Sequence, residues 1–205
     1  MKKALVGKKI SMTQVYDENG VVVPVTVIEL GPNVVLQKKT VEKDGYSALK
    51  VGFGSIKEKN CPAPLLKDFK KKSVEPKRVL REIDAFDESL DVGSVIDCSV
   101  LDGIEKVNIV STSKGKGFAG SIKRHGFGGG RATHGSHFHR APGSIGACAY
   151  PGEVWKGQRM PGRKGSDRVT VKNLKVVKVI KDKNLVLVSG AVPGRKDSIV
   201  LVCES

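Results

Sequence analysis

Between Lys114 and Arg168 the chain offers almost nothing that a hydrophobic core could hold, and this limits every fold open to it. These 55 residues contain 14 of the 24 glycines, all four histidines, and 11 Lys/Arg against two acids, Glu153 and Asp167, for a net charge of +9. No leucine occurs there, and Ile122, Ile145, Val154 and Met160 are too scattered to make a helix or strand period. Such a segment cannot fold as an independent globule. Stretches this long without structure are usually disordered or functional. This one places Phe118, Phe127, Phe138, Tyr150 and Trp155 among Lys116, Arg124, Arg131, Arg140, Lys156 and Arg159. Flat rings stack on unpaired bases, guanidinium groups fork onto phosphates, and glycine lets a backbone approach a sugar-phosphate chain closely. The composition predicts a loop that becomes ordered against RNA.

The other 150 residues carry only +6 of the formal +15, so a core is available there and the charge asymmetry lies in the loop. A pI near 9.7 favours a polyanionic partner, of which nucleic acid is the commonest. An acidic membrane would meet the same electrostatics, but no amphipathic basic helix supports it. The apolar run Ala4-Leu5-Val6 after Met1-Lys2-Lys3 ends at Gly7-Lys8-Lys9, too short to direct export or span a bilayer. Cys61, Cys98, Cys148 and Cys203 are isolated, with no CxxC pair. A reduced cytosolic protein is the simple expectation. Two long-range disulfides would fit the count, but would call for a secretory signal.

Outside the loop, short β-type runs alternate with turn signals. Met12–Tyr16 is followed by Asp17-Glu18-Asn19-Gly20, whose Asn-Gly suits a hairpin with positive φ angles. The runs 21–30, 34–40 and 46–53 continue a meander, with Pro24 marking an edge, a bend or a strand start. Leu65, Leu66 and Phe69 then fall at helical spacing, and Arg78–Phe86 alternates again, predicting a small α+β lobe. Its Lys70-Lys71-Lys72 reads as a solvated face, with RNA contact as the alternative. Strands resume at Ser94–Leu101 and Glu105–Ser111, and after the loop at 169–171, 174–180, 185–188 and 199–202. The fold expected is mainly β: a barrel, with a small inserted α+β lobe and a long, mostly irregular, basic, Gly-rich extension. Its segments are residues 1–54 as the first part of the barrel, 55–91 as the lobe, 92–113 as barrel strands, 114–168 as the RNA-binding loop, and 169–205 as closing strands.

Two patterns in the loop resemble catalytic or cofactor sites. Gly115-Lys116-Gly117-Phe118-Ala119-Gly120 matches the dinucleotide fingerprint, but that motif needs an amphipathic helix next and an acid about 20 residues on. Here 121–130 is basic and broken by glycine, and no acid occurs between Glu105 and Glu153. His134, His137 and His139 with Cys148 supply zinc-type ligand atoms, yet their flanks are Gly, Ser and Arg rather than a scaffold that fixes a tetrahedron. Base stacking or phosphate hydrogen bonding suits them better. No Ser/His/Asp set, carboxylate pair or P-loop is present. No cofactor, metal, small-molecule substrate or catalytic residue is expected. For Trp155 two readings stand: an anchor on its own barrel, or a base-stacking ring.

Several stretches then converge on one family. They are 7–14 (GKKISMTQ), 23–27 (VPVTV), 113–118 (SKGKGF), 131–135 (RATHG), 139–146 (HRAPGSIG), 156–162 (KGQRMPG) and 190–194 (GAVPG), with 74–78 (VEPKR) in the lobe. They resemble the bacterial form of the universal large-subunit ribosomal protein L-three family, over nearly the whole chain. The resemblance implies a translation-protein-type β-barrel on the outside of the large ribosomal subunit. It also implies an extension threading through large-subunit (23S) rRNA toward the peptidyl transferase centre, and a role early in assembly near the 3′ domain. Other large-subunit proteins would pack on the barrel. Some bacterial members carry a methylated glutamine near the loop tip. The stretch from Gly146 to Gly152 has no glutamine, so that modification cannot occur here, and Ser11 stands where glycine is usual.

The residues expected to contact rRNA are Lys114, Lys116, Lys123, Arg124, His125, Arg131, His134, His137, His139, Arg140, Trp155, Lys156, Arg159, Arg163 and Lys164. The expected tip comprises Gly143, Ser144, Gly146, Ala147, Cys148, Ala149 and Tyr150.

Overall fold

The computed structural model describes residues 3–86 and 89–205. Met1, Lys2, Asp87 and Glu88, which fall in the expected barrel and lobe segments, lie outside the described residues. The chain divides into two compact units, Met1–Thr112 with Arg168–Ser205, and Ser113–Asp167.

In the first unit the elements before the division are β1 (Ala4–Tyr16), β2 (Val22–Leu30), β3 (Asn33–Lys39), a single helical turn α1 (Val41–Asp44), β4 (Ala48–Ser55), α2 (Ala63–Lys71), β5 (Lys77–Asp84), β6 (Val95–Ile96) and β7 (Lys106–Thr112). The second unit contains β8 (Phe118–Ala119), α3 (Ser121–His125) and β9 (Gly162–Arg163). The first unit then resumes with β10 (Arg168–Ile180), β11 (Leu185–Ser189) and β12 (Ile199–Glu204).

Six strands close an antiparallel barrel in the order β1-β12-β7-β10-β11-β2. The period-2 pattern explains the closure: β7, β11 and β12 each bury alternate residues, among them Val107, Ile109, Val186, Val188, Val200 and Val202. Burying each such side chain contributes about 1.5–3 kcal/mol. The β1–β2 hairpin turns where Asn-Gly predicts it, with Gly20 N donating to Asp17 O at 2.8 Å, although Gly20 alone takes a positive φ.

The meander does not all enter the barrel. Strands β3 and β4, expected within it at 1–54, form a separate four-stranded sheet, β5-β4-β3-β6. The corner after β2 sends the chain away: Gly31 takes φ +94° and the buried Asn33 amide donates to Val6 O at 3.0 Å. The chain-terminal strands β11 and β12 take the barrel places beside β2 and β1 instead. Of the segment 92–113 only β7 joins the barrel. The expected strand at Ser94–Leu101 shrinks to β6 plus a 3₁₀ turn at Cys98–Leu101. The two expected runs 169–171 and 174–180 are one strand, β10, with a bulge between Val171 and Leu174 where Asn173 takes φ +57°.

One core serves both sheets. Leu5, Ile28, Leu30 and Ile109 from the barrel cluster with Val35, Leu49, Val51 and Ile83 from the second sheet. In α2 only Phe69 is fully buried, while Leu65 stays exposed. The lysine run that follows is engaged with acids, Lys70 with Glu58 at 3.5 Å and Lys72 with Asp68 at 2.8 Å, which supports a solvated face. Lys9, only 9% exposed, donates to Val192 O at 2.7 Å and Gly194 O at 3.4 Å, tying β1 to the β11–β12 connection. Among the described residues no helix is long and apolar enough to cross a membrane.

Candidate nucleic-acid interface

The unit Ser113–Asp167 has two buried residues among those described, Ala119 and Ser121. Hydrogen bonds therefore hold it where a core does not. Its two ends pair like strands: Ser113 N donates to Asp167 O at 2.9 Å, Lys116 N to Lys164 O at 2.9 Å and Lys164 N to Gly117 O at 2.9 Å, continuing into β8–β9. This neck carries Lys114, Lys116, Arg163 and Lys164 on adjoining strands. The Lys164 ammonium turns back to the Lys123 carbonyl in α3.

The short helix α3 ends in Lys123, Arg124 and His125. Arg124 donates to Met160 O at 2.8 Å, and His125 Nε2 lies 3.0 Å from the same oxygen. Gly162 makes room for this, since a β-carbon there would overlap the Arg124 guanidinium. The His125 ring also packs on Phe127 at 5.7 Å. Arg124 and His125, both expected at the RNA, are thus engaged inside the unit and shape it. This latch brings Phe127 beside the turn at 155–159. There Gln158 N donates to Trp155 O at 3.1 Å, and a cleft of about 370 Å³ is lined by Phe127, Trp155, Lys156, Gly157, Gln158 and Arg159. Phe127, Gly157 and Gln158 were missing from the sequence-based set. Phe127 had a signal in its aromatic character within a basic stretch, while Gly157 and Gln158 had none beyond adjacency to Trp155.

The middle of the unit folds back on itself. Gly130 N donates to His139 O at 3.1 Å, and His139 Nδ1 lies 3.0 Å from Arg131 O. A β-carbon on Gly130 would overlap the Phe138 carbonyl, so only glycine passes there. Arg131, His134, His137 and Arg140 are exposed around this double-back. Among the described residues no three His, Cys, Asp or Glu side chains gather where a metal could be held, and the histidines and Cys148 form no such group.

The expected tip, Gly143, Ser144, Gly146, Ala147, Cys148, Ala149 and Tyr150, is exposed throughout, with Ser144 Oγ donating to Gly146 O at 2.8 Å. Tyr150 is 90% exposed, Phe118 79% and Trp155 70%. The Trp155 ring is therefore largely uncovered.

The electrostatics are one-sided. Every ion pair found among the described residues lies outside 113–167, whose ten Lys/Arg face only Glu153 and Asp167. In the first unit, by contrast, Lys8, Lys39, Lys70, Lys72, Lys77 and Lys181 each pair with an acid, and Asp197 beside Lys8, Glu82 beside Lys39 and Tyr46, and Asp68 beside Lys72 all have lowered carboxyl pKa values. An unmatched set of exposed cations, interleaved with uncovered rings, is chemically a surface for phosphates and bases.

The family model described as ribosomal protein L3 matches residues 74–184. Large ribosomal subunit protein uL3 of Pelotomaculum thermopropionicum is 53% identical over all of this chain and 98% of its own length. The uL3 proteins of Heliobacterium modesticaldum and Syntrophus aciditrophicus are 52% and 49% identical over the full chain, covering 97% and 94% of theirs. The chain belongs to the ribosomal protein L3 family.

Proposed function

We propose that this chain is a structural, non-catalytic constituent of the large ribosomal subunit that binds 23S rRNA directly. The observation that carries the proposal is the unmatched charge of 113–167, ten cations without an ion pair beside exposed aromatic rings. The full-length uL3 relatives support its place in the large subunit. In this reading the barrel docks in the 3′ domain early in assembly and neighbouring large-subunit proteins pack on it. The segment 113–167 fills crevices between RNA helices, with 143–151 as the end nearest the peptidyl transferase centre. Peptide-bond chemistry belongs to the RNA, and the protein works in the cytoplasm as part of the ribosome. Arg124 and His125 act as positioning groups, while Lys114, Lys116, Arg131, Arg140, Lys156, Arg159 and Arg163 meet phosphate.

Crosslinking in cells, read at nucleotide resolution, tests this placement. Crosslinks from 113–167 should concentrate around the peptidyl transferase region and those from the barrel in the 3′ domain. Crosslinks scattered over unrelated RNAs would withdraw it. The electrostatic part has its own magnitude: with about eight cations on phosphate, log K against log salt falls with a slope of about 5 to 7 in magnitude. A slope near 2 would contradict an electrostatic anchor.

A further inference from the structure

The cleft between Phe127 and the 155–159 turn is more specific than a basic surface requires. It is built by groups distant in sequence: Arg124 and His125 both hold the Met160 carbonyl, and the Gln158–Trp155 hydrogen bond closes the turn. Two of its walls are aromatic, and its other side chains are Lys156, Gln158 and Arg159. None of these three makes a side-chain hydrogen bond or ion pair among the described residues, so each is available to a ligand. No acid lines it.

We propose that this cleft is a receptor for one unpaired RNA nucleotide: the base enters beside Phe127 and Trp155, Gln158 meets the base edge, and Lys156 and Arg159 take its flanking phosphates. This rests on the RNA-binding role proposed above and assigns it a discrete, base-dependent contact. Three features select a nucleotide within a strand over other anions. The rings offer stacking area that an acidic peptide does not use. Lys156 and Arg159 stand on either side of Gly157-Gln158, so they suit successive phosphates of a strand. Finally, the Gln158 amide offers both a donor and an acceptor, which a base edge uses and a bare phosphate does not. A paired base presents no free face, which restricts the guest to unpaired nucleotides.

Trp155 is the chain's single tryptophan, so its fluorescence reports on this cleft alone. The full chain is titrated at low salt with a short oligoadenylate RNA, and with an abasic phosphate strand of equal length, while binding is followed separately by anisotropy of end-labelled strands. The RNA should quench Trp155 and bind roughly fivefold to a hundredfold tighter than the abasic strand, the range for one stacked base. The abasic strand should bind without quenching. Phe127→Leu preserves side-chain volume but removes one ring. It should shrink the RNA-to-abasic ratio severalfold.

RNA binding without quenching, or equal binding and quenching by both strands, overturns the cleft proposal and leaves the general RNA-binding role standing. Quenching by ATP alone with the affinity of the RNA also overturns it, since the guest would then be a free nucleotide. Absence of anisotropy change with either strand sinks the RNA-binding reading and the cleft together.

Discussion

The two units of this protein are held together by opposite means. The unit formed by residues 1–112 and 168–205 buries a shared core of Leu5, Ile28, Leu30, Leu49, Ile109 and their neighbours, and holds all the ion pairs found among the described residues. The unit 113–167 buries only Ala119 and Ser121 among its described residues, pairs no charge, and relies on backbone hydrogen bonds at its neck and at Gly130 and on the Arg124 and His125 side chains at the Met160 carbonyl. Hydrophobic burial is self-sufficient. A hydrogen-bonded, glycine-rich framework is not, because in water its bonds are exchanged for bonds to solvent and contribute little net stability. In the function proposed above, the RNA supplies this second unit with the negative charge and the exclusion of water that its own residues do not provide.

The sharpest way to break this contrast is to remove bulk from each unit. Leu30→Ala should destabilise the chain by about 2–5 kcal/mol in denaturant unfolding. Ile145→Ala, half exposed in the second unit, should stay within about 0.5 kcal/mol of the parent. Equal losses would show that both units share one stability. Next in size is Gly130→Ala, which must part the Gly130–His139 pairing because a β-carbon meets the Phe138 carbonyl. RNA affinity should fall by about fivefold, roughly 1 kcal/mol, with the unfolding midpoint unchanged. A lowered midpoint would mean that the second unit supports the barrel. Arg140→Ala should be smaller and of a different kind, weakening all RNA sequences alike and reducing the salt slope by about one.

The smallest effect is on acid stability. Asp68, Glu82 and Asp197 have carboxyl pKa values lowered below 3.8, 4.5 and 3.8 by Lys72, by Lys39 with Tyr46, and by Lys8. A lowered folded pKa contributes stability that is present above the ordinary carboxylate range and is lost as pH falls through the lowered values. Below about pH 4 the barrel unit should soften slightly, and Glu82→Gln should flatten that part of the profile. A profile unchanged by Glu82→Gln would remove the Lys39–Tyr46–Glu82 group from the account.

The sequence made the contrast visible but not its details. Alternating strands and turn signals announced a β-barrel, and the composition of 114–168 announced a segment without a core. Which strands close the barrel was hidden, since β3 reads locally like β2 and only long-range pairing with β4 and β6 separates it. Charge counting placed Arg124 and His125 among the RNA contacts, yet counting does not reveal that the Met160 carbonyl already engages both. Lys9 was equally hidden: next to Lys8 it looks like another surface cation, and its burial depends on carbonyls more than 180 residues away. Gly157 and Gln158 gain meaning only once the latch brings Phe127 to the 155–159 turn.

The most direct measurement is amide hydrogen exchange on the free chain and on the same chain in assembled large subunits. In the free chain, amides of β1, β7, β11 and β12 should exchange slowly, and those of 127–160 should exchange fast, with intermediate protection at the 113–119 and 162–167 neck. In the subunit, 127–160 should become protected while the barrel changes little. Strong protection of 127–160 in the free chain, or its continued fast exchange within the subunit, would contradict the claim that RNA supplies the order this unit lacks.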